Sequence, residues 1–236
     1  MPVIDDFNLA IDPDEILQLR TVGDNPRTRP RMAKLVREIL DELEIQSLIR
    51  PRATYAFVAV TEMMPGQVTL AEGTVFHAPL LTHHMAGAAH LVPVVVTIGQ
   101  AIDAAISDCF ARGASLKAVL LEEIANQFLF KAGEHCEKSI AATAAGLNLQ
   151  TSGTLAPGHE GIEFDNQVKV LKLSGADYIG IRMSRTGVMD PVHSTSFIIG
   201  AGSRMRYWTQ AENCQTCAAR VKCPHRRETS AYAECA

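Results

Sequence analysis

The residues with the clearest chemical potential are cysteines near the end of the chain. Cys214 and Cys217 form a Cys-x2-Cys pair, and Cys223 follows after five further residues. Two thiolates at this spacing can hold one metal ion from a single turn, and a third thiolate nearly completes the site. Cys235 or His225 could supply the fourth ligand, or that position could stay open. The spacing favours a metal site, either zinc or an iron-sulfur cluster, over thiols that merely cluster in a tail.

A second group of polar residues lies at two turns in the last third of the chain. Residues 156–159 read Ala-Pro-Gly-His. Proline fixes one φ there and glycine permits a positive one, so main-chain groups can approach a ligand closely. Residues 189–191, Met-Asp-Pro, form the other predicted turn. His159 and His193 stand at these turns and are candidates for function, although an isolated histidine is more often structural. No pattern assigns a catalytic residue.

Hydrophobic periodicity predicts the elements that position these residues. Apolar residues recur at i, i+3 and i+4 from Arg31 to Ile49, which predicts an amphipathic helix. Ser115 begins a longer helix that runs to Ala145, with Val119 on its predicted buried face. The other predicted helices cover residues 13–23 (capped by Asp12), 80–91 (carrying His83, His84 and His90), 99–112 and 164–173. The predicted strands cover residues 53–61, 67–70, 74–76, 92–97, 178–183 and 194–199.

Composition limits the class of protein. The chain has 236 residues, of which 47% are hydrophobic and 20% are charged, as in globular proteins that bury a core without disulfides. The net charge of -4 and the isoelectric point near 6.1 give no reason to expect a nucleic-acid partner. No basic leader precedes an apolar run, and no run reaches the roughly 20 residues of a membrane span, so we expect a cytoplasmic protein. Residues 1–203 are predicted to form one domain and residues 204–236 a cysteine-rich tail.

The order of motifs in the last third of the chain resembles a known family. Residues 157–159 (Pro-Gly-His) match its first turn, residues 179–180 (Ile-Gly) match a strand, and residues 189–194 (Met-Asp-Pro-Val-His-Ser) match its Met-x-Pro-x-x-Ser segment. In order and spacing the chain resembles the vitamin B12-dependent methionine synthase activation domain family, particularly its free-standing members with a C-terminal cysteine cluster. The resemblance covers about residues 12–227, with the sharpest matches in the last third.

The resemblance implies a fold and a binding site. The fold would be α+β, with a twisted, mostly antiparallel sheet flanked by helices. In the family, the first turn helps to bind S-adenosylmethionine, the methyl donor for reductive reactivation of oxidised cobalamin. Carried over to this chain, the cofactor-binding residues would be Thr154, Pro157, Gly158, His159, Arg182 and Ser194.

The chain departs from the family pattern at three positions. Thr154 stands where the family has arginine, His159 where it has tyrosine, and Phe130 where it has an acidic residue near the ammonium group of the cofactor. An arginine fork pairs a ligand carboxylate in a way that threonine does not. Arg182 or Arg185 could replace the missing arginine.

Three functions remain in competition. The first is an accessory protein that reactivates a corrinoid-dependent methyltransferase system, through reductive methylation of cobalamin held by a partner, which would be a corrinoid-binding protein or the methyltransferase. The second is a noncatalytic module on the same fold that has lost S-adenosylmethionine binding and holds a corrinoid, another small molecule or a partner protein. The third is a structural zinc protein. Whether the chain is an enzyme, and whether it forms a homodimer, is left open.

Overall fold

Helices alternate with short strands along the chain. A computed structural model describes residues 1–19, 27–159, 161–217, 220–223 and 226, with the main chain alone at residues 210 and 216. The helices are α1 (Pro13–Leu17), α2 (Arg29–Ile45), α3 (Pro79–His84), α4 (Gln100–Ala111), α5 (Ser115–Gly146), α6 (Asn166–Ser174) and α7 (Gln210–Thr216). The strands are β1 (Val3–Ile4), β2 (Arg52–Tyr55), β3 (Val58–Met64), β4 (Gln67–Leu70), β5 (Val75–His77), β6 (His90–Thr97), β7 (Gln150–Leu155), β8 (Arg182–Met183), β9 (Met189–Asp190) and β10 (Ser194–Gly202).

The first of two compact units comprises Met1–Ala56, Val94–Ile140 and Leu171–Ser196. In this unit β1 pairs antiparallel with β2, and β2 pairs antiparallel with the second half of β6. An ion pair between Lys117 Nζ and Glu42 Oε2, 2.5 Å apart, joins α5 to α2. The helices bury apolar side chains, each worth about 1.5–3 kcal/mol relative to exposure. They include Ile16, Val36, Ile39, Ile102 and Ile124.

The second unit comprises Phe57–Pro93, Ala141–Val170 and Phe197–Ala236. Here β3, β4 and β5 form an antiparallel meander, the first half of β6 pairs with β3, and β7 pairs with β10. Gly66, with a φ of +83°, makes the tight turn between β3 and β4. The buried side chains of this unit include Val68, Leu70, Phe76, Leu81 and Met85.

The predicted α+β fold with a mostly antiparallel sheet is confirmed, since every strand pair with a defined register in the described residues is antiparallel. The start of α1 is also as predicted: Asp12 Oδ1 accepts the N–H of Asp14 at 2.9 Å, and proline occupies the first turn. The predicted continuation of this helix to Gly23 is wrong, since α1 ends at Leu17 with Gln18 as its C-cap; residues 20–23 lie outside the described residues. The division of the chain after residue 203 remains a prediction.

The strand predicted for residues 178–183 is wrong. Residues Ala176–Ile179 form a 3₁₀ helix, and only Arg182–Met183 is a strand. Gly175 and Gly180, with φ of +71° and +80°, lie on either side of the 3₁₀ helix and close it. A left-handed residue at each end prevents the continuous extended chain that the alternating side chains suggested.

Two helix predictions also needed correction. The helix predicted for residues 80–91 ends at His84, and His90 begins β6 instead. Gly87, with a φ of +84°, separates the two elements, and the β-branched run that follows extends the strand back to His90. Val119 was predicted on the buried face of α5 but is 43% exposed. Within the described chain, no helix combines the length and apolar character needed to cross a membrane.

Residues beyond β10 pack closely on β7. Trp208 is 5% exposed, and its ring and main-chain oxygen occupy the space where a side chain would stand at Gly153. A Cβ at Gly153 would overlap with the main-chain oxygen and the indole of Trp208. Glycine is therefore required there for space.

Gly153→Ala should lower the free energy of unfolding by about 1–3 kcal/mol, because the added methyl group forces Trp208 away from β7. Gly146→Ala is the matched control, since nothing lies within 4 Å of its Cβ position, at the end of α5. Alanine should leave stability unchanged or raise it by up to roughly 1 kcal/mol there. Urea unfolding followed by circular dichroism measures both changes. Equal midpoints for Gly153→Ala and the wild type would contradict the close contact.

Candidate functional site

The first predicted turn follows β7 directly and is closed by its own hydrogen bonds. The N–H of Gly158 donates to the carbonyl of Ile162 at 2.8 Å, and the N–H of His159 donates to the carbonyl of Ala156 at 3.0 Å. Gly158 has a φ of +92°, a conformation that glycine adopts without strain. These bonds hold the turn in one conformation and use both N–H groups inside it.

The ring of His159 also bonds within the turn. Its Nδ1 accepts the N–H of Ala156 at 3.2 Å. In the neutral ring the proton is therefore on Nε2. Burial lowers the pKa of His159 below its ordinary value of 6.5, so the ring is neutral at pH 7. His159 thus carries a neutral N–H donor at Nε2.

An aromatic ring lies beside the turn. A Cβ placed on Gly158 would lie 3.5 Å from Cδ2 of Phe164, and Phe164 is 55% exposed. The helix predicted for residues 164–173 begins at Asn166 instead, so Phe164 belongs to the loop that precedes α6. An exposed ring next to a turn offers a flat apolar surface on which a planar ligand group can stack. The spacing of apolar residues in the sequence did not predict an exposed aromatic ring beside this turn.

Thr154 brings no charge to the turn. The threonine side chain is uncharged, and the residue is 9% exposed. Thr154 lies opposite Ile199 in the pairing of β7 with β10. Its carbonyl accepts a hydrogen bond of 2.8 Å from Asn213 Nδ2. No sequence motif marks Asn213, which lies 59 positions away.

The six predicted cofactor-binding residues are divided between the units. Thr154, Pro157, Gly158 and His159 belong to the second unit, at the end of β7 and in its turn. Arg182 and Ser194 belong to the first unit. Arg182 is exposed in β8, opposite Asp190 of β9, and Ser194 Oγ donates to the carbonyl of Pro191 at 2.7 Å.

His193, the candidate at the second turn, is buried between carboxylates. It is 5% exposed, its Nδ1 lies 2.5 Å from Asp103 Oδ1, and its Nε2 lies 3.5 Å from Glu122 Oε1. Asp103 Oδ2 also accepts the N–H of Val192 at 2.7 Å. These contacts join the second turn to α4 and α5 within the first unit. The bond to Asp103 gives Nδ1 a structural role, whereas Nε2 is buried and has no hydrogen-bond partner among the described residues.

Three of the four predicted metal-binding cysteines of the tail lie in the described part of the chain. Cys214 lies in the last turn of α7, and Cys217 follows the helix as its C-cap. Cys214, Cys217 and Cys223 are free thiols that are exposed or half-buried. Cys235 lies outside the described residues, as does His225. In the described part of the chain, no three His, Cys, Asp or Glu side chains form a group that could hold a metal. The metal site therefore stays a prediction.

Cys136 is a cysteine of a different kind. It is buried in α5, and burial, followed by the charge of Glu137, raises the pKa of its thiol to about 12. A thiol with so high a pKa stays protonated at neutral pH and is a poor nucleophile.

Comparison with known proteins identifies the fold. No family model matches the chain, and no curated protein matches it. Among solved structures, the chain is similar to a crystal structure of the MetH reactivation domain bound to AdoHcy, with a TM-score of 0.61 and 15% sequence identity. The similarity covers 86% of this chain and 76% of that one. The chain therefore has the fold of the MetH reactivation domain, as the order of its motifs predicted.

Proposed function

We propose that this protein reactivates a corrinoid-dependent methyltransferase and binds S-adenosylmethionine, or the AdoHcy derived from it, at the turn of residues 156–159. The observation that carries the proposal is the fold, which follows the MetH reactivation domain over 86% of this chain; that domain is bound to AdoHcy. The turn that the resemblance assigns to the ligand is present, with Gly158 in a left-handed conformation.

Each residue at the turn has a proposed role. The Nε2–H of His159 donates to an oxygen of the ligand, and the exposed ring of Phe164 stacks on the adenine. Gly158 allows the ligand to approach the main chain closely. Arg182 and Ser194 remain proposed ligand residues on the resemblance alone. Bound S-adenosylmethionine supplies the methyl group, and the partner, a corrinoid-binding protein or the methyltransferase itself, holds the cobalamin.

The alternative is a noncatalytic binding module that has lost S-adenosylmethionine. The observation in its favour is Thr154, which is buried and uncharged, so a ligand carboxylate lacks the bidentate partner that an arginine would provide. On this reading the turn and Phe164 hold another small molecule or a partner protein. Both proposals use the same fold, and AdoHcy binding separates them.

His159→Asn should weaken AdoHcy binding by about tenfold, because the shorter side chain keeps an acceptor for the N–H of Ala156 but loses the donor at Nε2. His77→Asn is the matched control, since His77 is exposed at the end of β5 in the same unit. Isothermal titration of AdoHcy into each variant gives the affinities. If the wild type does not bind AdoHcy at millimolar concentration, the noncatalytic module is the better account.

The protein should lose stability as the pH falls through 6.5, the ordinary pKa of histidine. Burial lowers the pKa of His159, so between that lowered value and 6.5 the unfolded chain binds more protons than the folded chain. His84 acts in the same direction, because burial, then His83 and Arg206, lowers its pKa. His159→Asn should reduce the slope of the thermal midpoint against pH from about pH 5 to 8. A slope that His159→Asn leaves unchanged would argue against a buried neutral ring.

The proposal extends to the tail, where Cys214, Cys217, Cys223 and Cys235 hold zinc or an iron-sulfur cluster. Its support is the Cys-x2-Cys spacing together with the free, accessible state of the three described thiols. A cluster would supply an electron for reduction of the corrinoid, whereas zinc would be structural.

Protein purified without oxygen should contain metal, and changing both Cys214 and Cys217 to serine should remove it, because serine does not replace a thiolate ligand. Cys109→Ser, at a half-buried cysteine on α4, is the control and should keep the metal. Metal and acid-labile sulfide analysis with a visible spectrum distinguishes the outcomes. Iron with sulfide indicates a cluster, zinc alone indicates a structural site, and no metal in the wild type contradicts the proposal.

A further inference from the structure

We infer that residues 205–216 form a clamp that holds the strand leading into the ligand turn, and that Asn213 is its positioning residue. The clamp touches β7, and β7 continues into the turn, so its effect on the turn is indirect. The predicted effect on AdoHcy binding rests on the proposed function, whereas the predicted effect on the order of the turn does not.

The clamp contacts β7 from its first residue to nearly its last. The N–H of Met205 donates to Gln150 Oε1 at 3.2 Å, at the start of the strand. Trp208 fills the space beside Gly153, as described above. Near the end of the strand, Asn213 Nδ2 donates to the carbonyl of Thr154 at 2.8 Å. The contacts on the strand thus follow the order of the residues in the clamp.

The clamp also supplies a hydrogen-bond donor to the edge of β7 that has no strand partner in the described part of the chain. Among the described strands, β7 is hydrogen-bonded to β10 alone, which leaves its other edge without a strand partner. Main-chain groups on such an edge need another partner or water. The side-chain amide of Asn213 provides a donor for one of them, the carbonyl of Thr154.

Hydrogen bonds within the clamp keep α7 in place. The Thr209 hydroxyl accepts the N–H of Glu212 at 3.3 Å, and Glu212 Oε2 accepts the N–H of Thr209 at 2.7 Å, which together make a capping box. Arg206 Nη2 donates to Glu212 Oε1 at 3.3 Å. The start of α7 is therefore set by the same short segment that carries Trp208.

The connection to the turn runs through the main chain. Thr154 precedes Ala156 by two residues, and the N–H of Ala156 is the group that bonds His159 Nδ1. A fixed Thr154 carbonyl fixes the direction in which the chain enters the turn. When the clamp is released, the bonds that close the turn at Gly158 and His159 should open more often.

The chain contains a single tryptophan, Trp208, so tryptophan emission reports the state of the clamp directly. Asn213→Asp removes the donor to Thr154 and places a carboxylate against its carbonyl. Gln215→Glu is the matched control, because it makes the same amide-to-carboxylate change on α7 at an exposed position. Asn213→Gln keeps an amide donor and should recover most of the wild-type behaviour.

Three measurements test the clamp: Trp208 emission, amide hydrogen exchange at Gly158 and His159, and AdoHcy affinity by titration. Asn213→Asp should shift the emission to longer wavelength, speed exchange at both amides by about tenfold and weaken AdoHcy binding by about tenfold. Gln215→Glu should match the wild type in all three. If Asn213→Asp does not fold, Asn213→Ala tests the same loss of donor without the added charge.

The outcomes separate the clamp from the proposed function. If the wild type does not bind AdoHcy but Asn213→Asp alone speeds exchange at the turn, the proposed function fails and the clamp stands. If exchange at Gly158 and His159 is unchanged in Asn213→Asp, the clamp is overturned, whatever the affinity for AdoHcy. An equal effect of Gln215→Glu would also overturn it, because the cause would then be charge on α7 and not the bond to Thr154.

Discussion

The contact of Trp208 with Gly153 is the constraint on which the arrangement around the candidate site depends. The indole and main-chain oxygen of Trp208 take the space that a side chain on β7 would need, and β7 has glycine at that position. Trp208 Nε1 has no hydrogen-bond partner among the described residues, which costs about 1–3 kcal/mol. The apolar area that an indole buries, commonly 150–250 Å², offsets this cost. Asn213 contacts β7 one residue farther along, at the carbonyl of Thr154.

His159 and His193, the histidines at the two predicted turns, differ in burial and in their hydrogen bonds. The Nδ1 of His159 is bonded to its own turn, which leaves Nε2–H as a neutral donor in a half-buried ring. The Nδ1 and Nε2 of His193 face Asp103 and Glu122, and the ring is buried. His159 offers Nε2–H from a half-buried ring, whereas the Nε2 of His193 has no hydrogen-bond partner among the described residues but is buried from solvent. Two residues that were equivalent in the motif therefore have different chemistry.

The cysteines also differ in burial, and therefore in reactivity. The thiol of Cys136 has a pKa near 12 because it lies in the packed face of α5. Cys214 and Cys217 lie at the end of a short helix, where thiols are accessible. Cys214 directly follows Asn213 in the sequence, and Asn213 contacts the strand that leads into the turn of residues 156–159. A metal held by the tail would thus be attached to the same strand as the candidate ligand site.

Local signals explain what the sequence alone determined. Asp12 capped α1 and the apolar spacing of α2 and α5 placed these helices, because capping and periodicity involve residues within one or two turns. The turn at Gly158 was predicted for the same reason, since a Pro-Gly pair limits its own main chain. The order of these motifs was enough to predict the fold. Local patterns failed at residues 178–183, where alternation resembled a strand and two left-handed glycines made a 3₁₀ helix.

Only the tertiary structure decided which distant residues contact each of the two turns. Asn213 reaches Thr154 across 59 positions, and Asp103 meets His193 across 90. Such pairs produce no periodic pattern in the sequence, because each depends on how whole strands and helices pack against one another. Whether a histidine or cysteine is reactive also depends on burial, which is a property of the folded chain. The sequence thus determined the residue types, the turns and the fold, and packing decided which of those residues are available to a ligand.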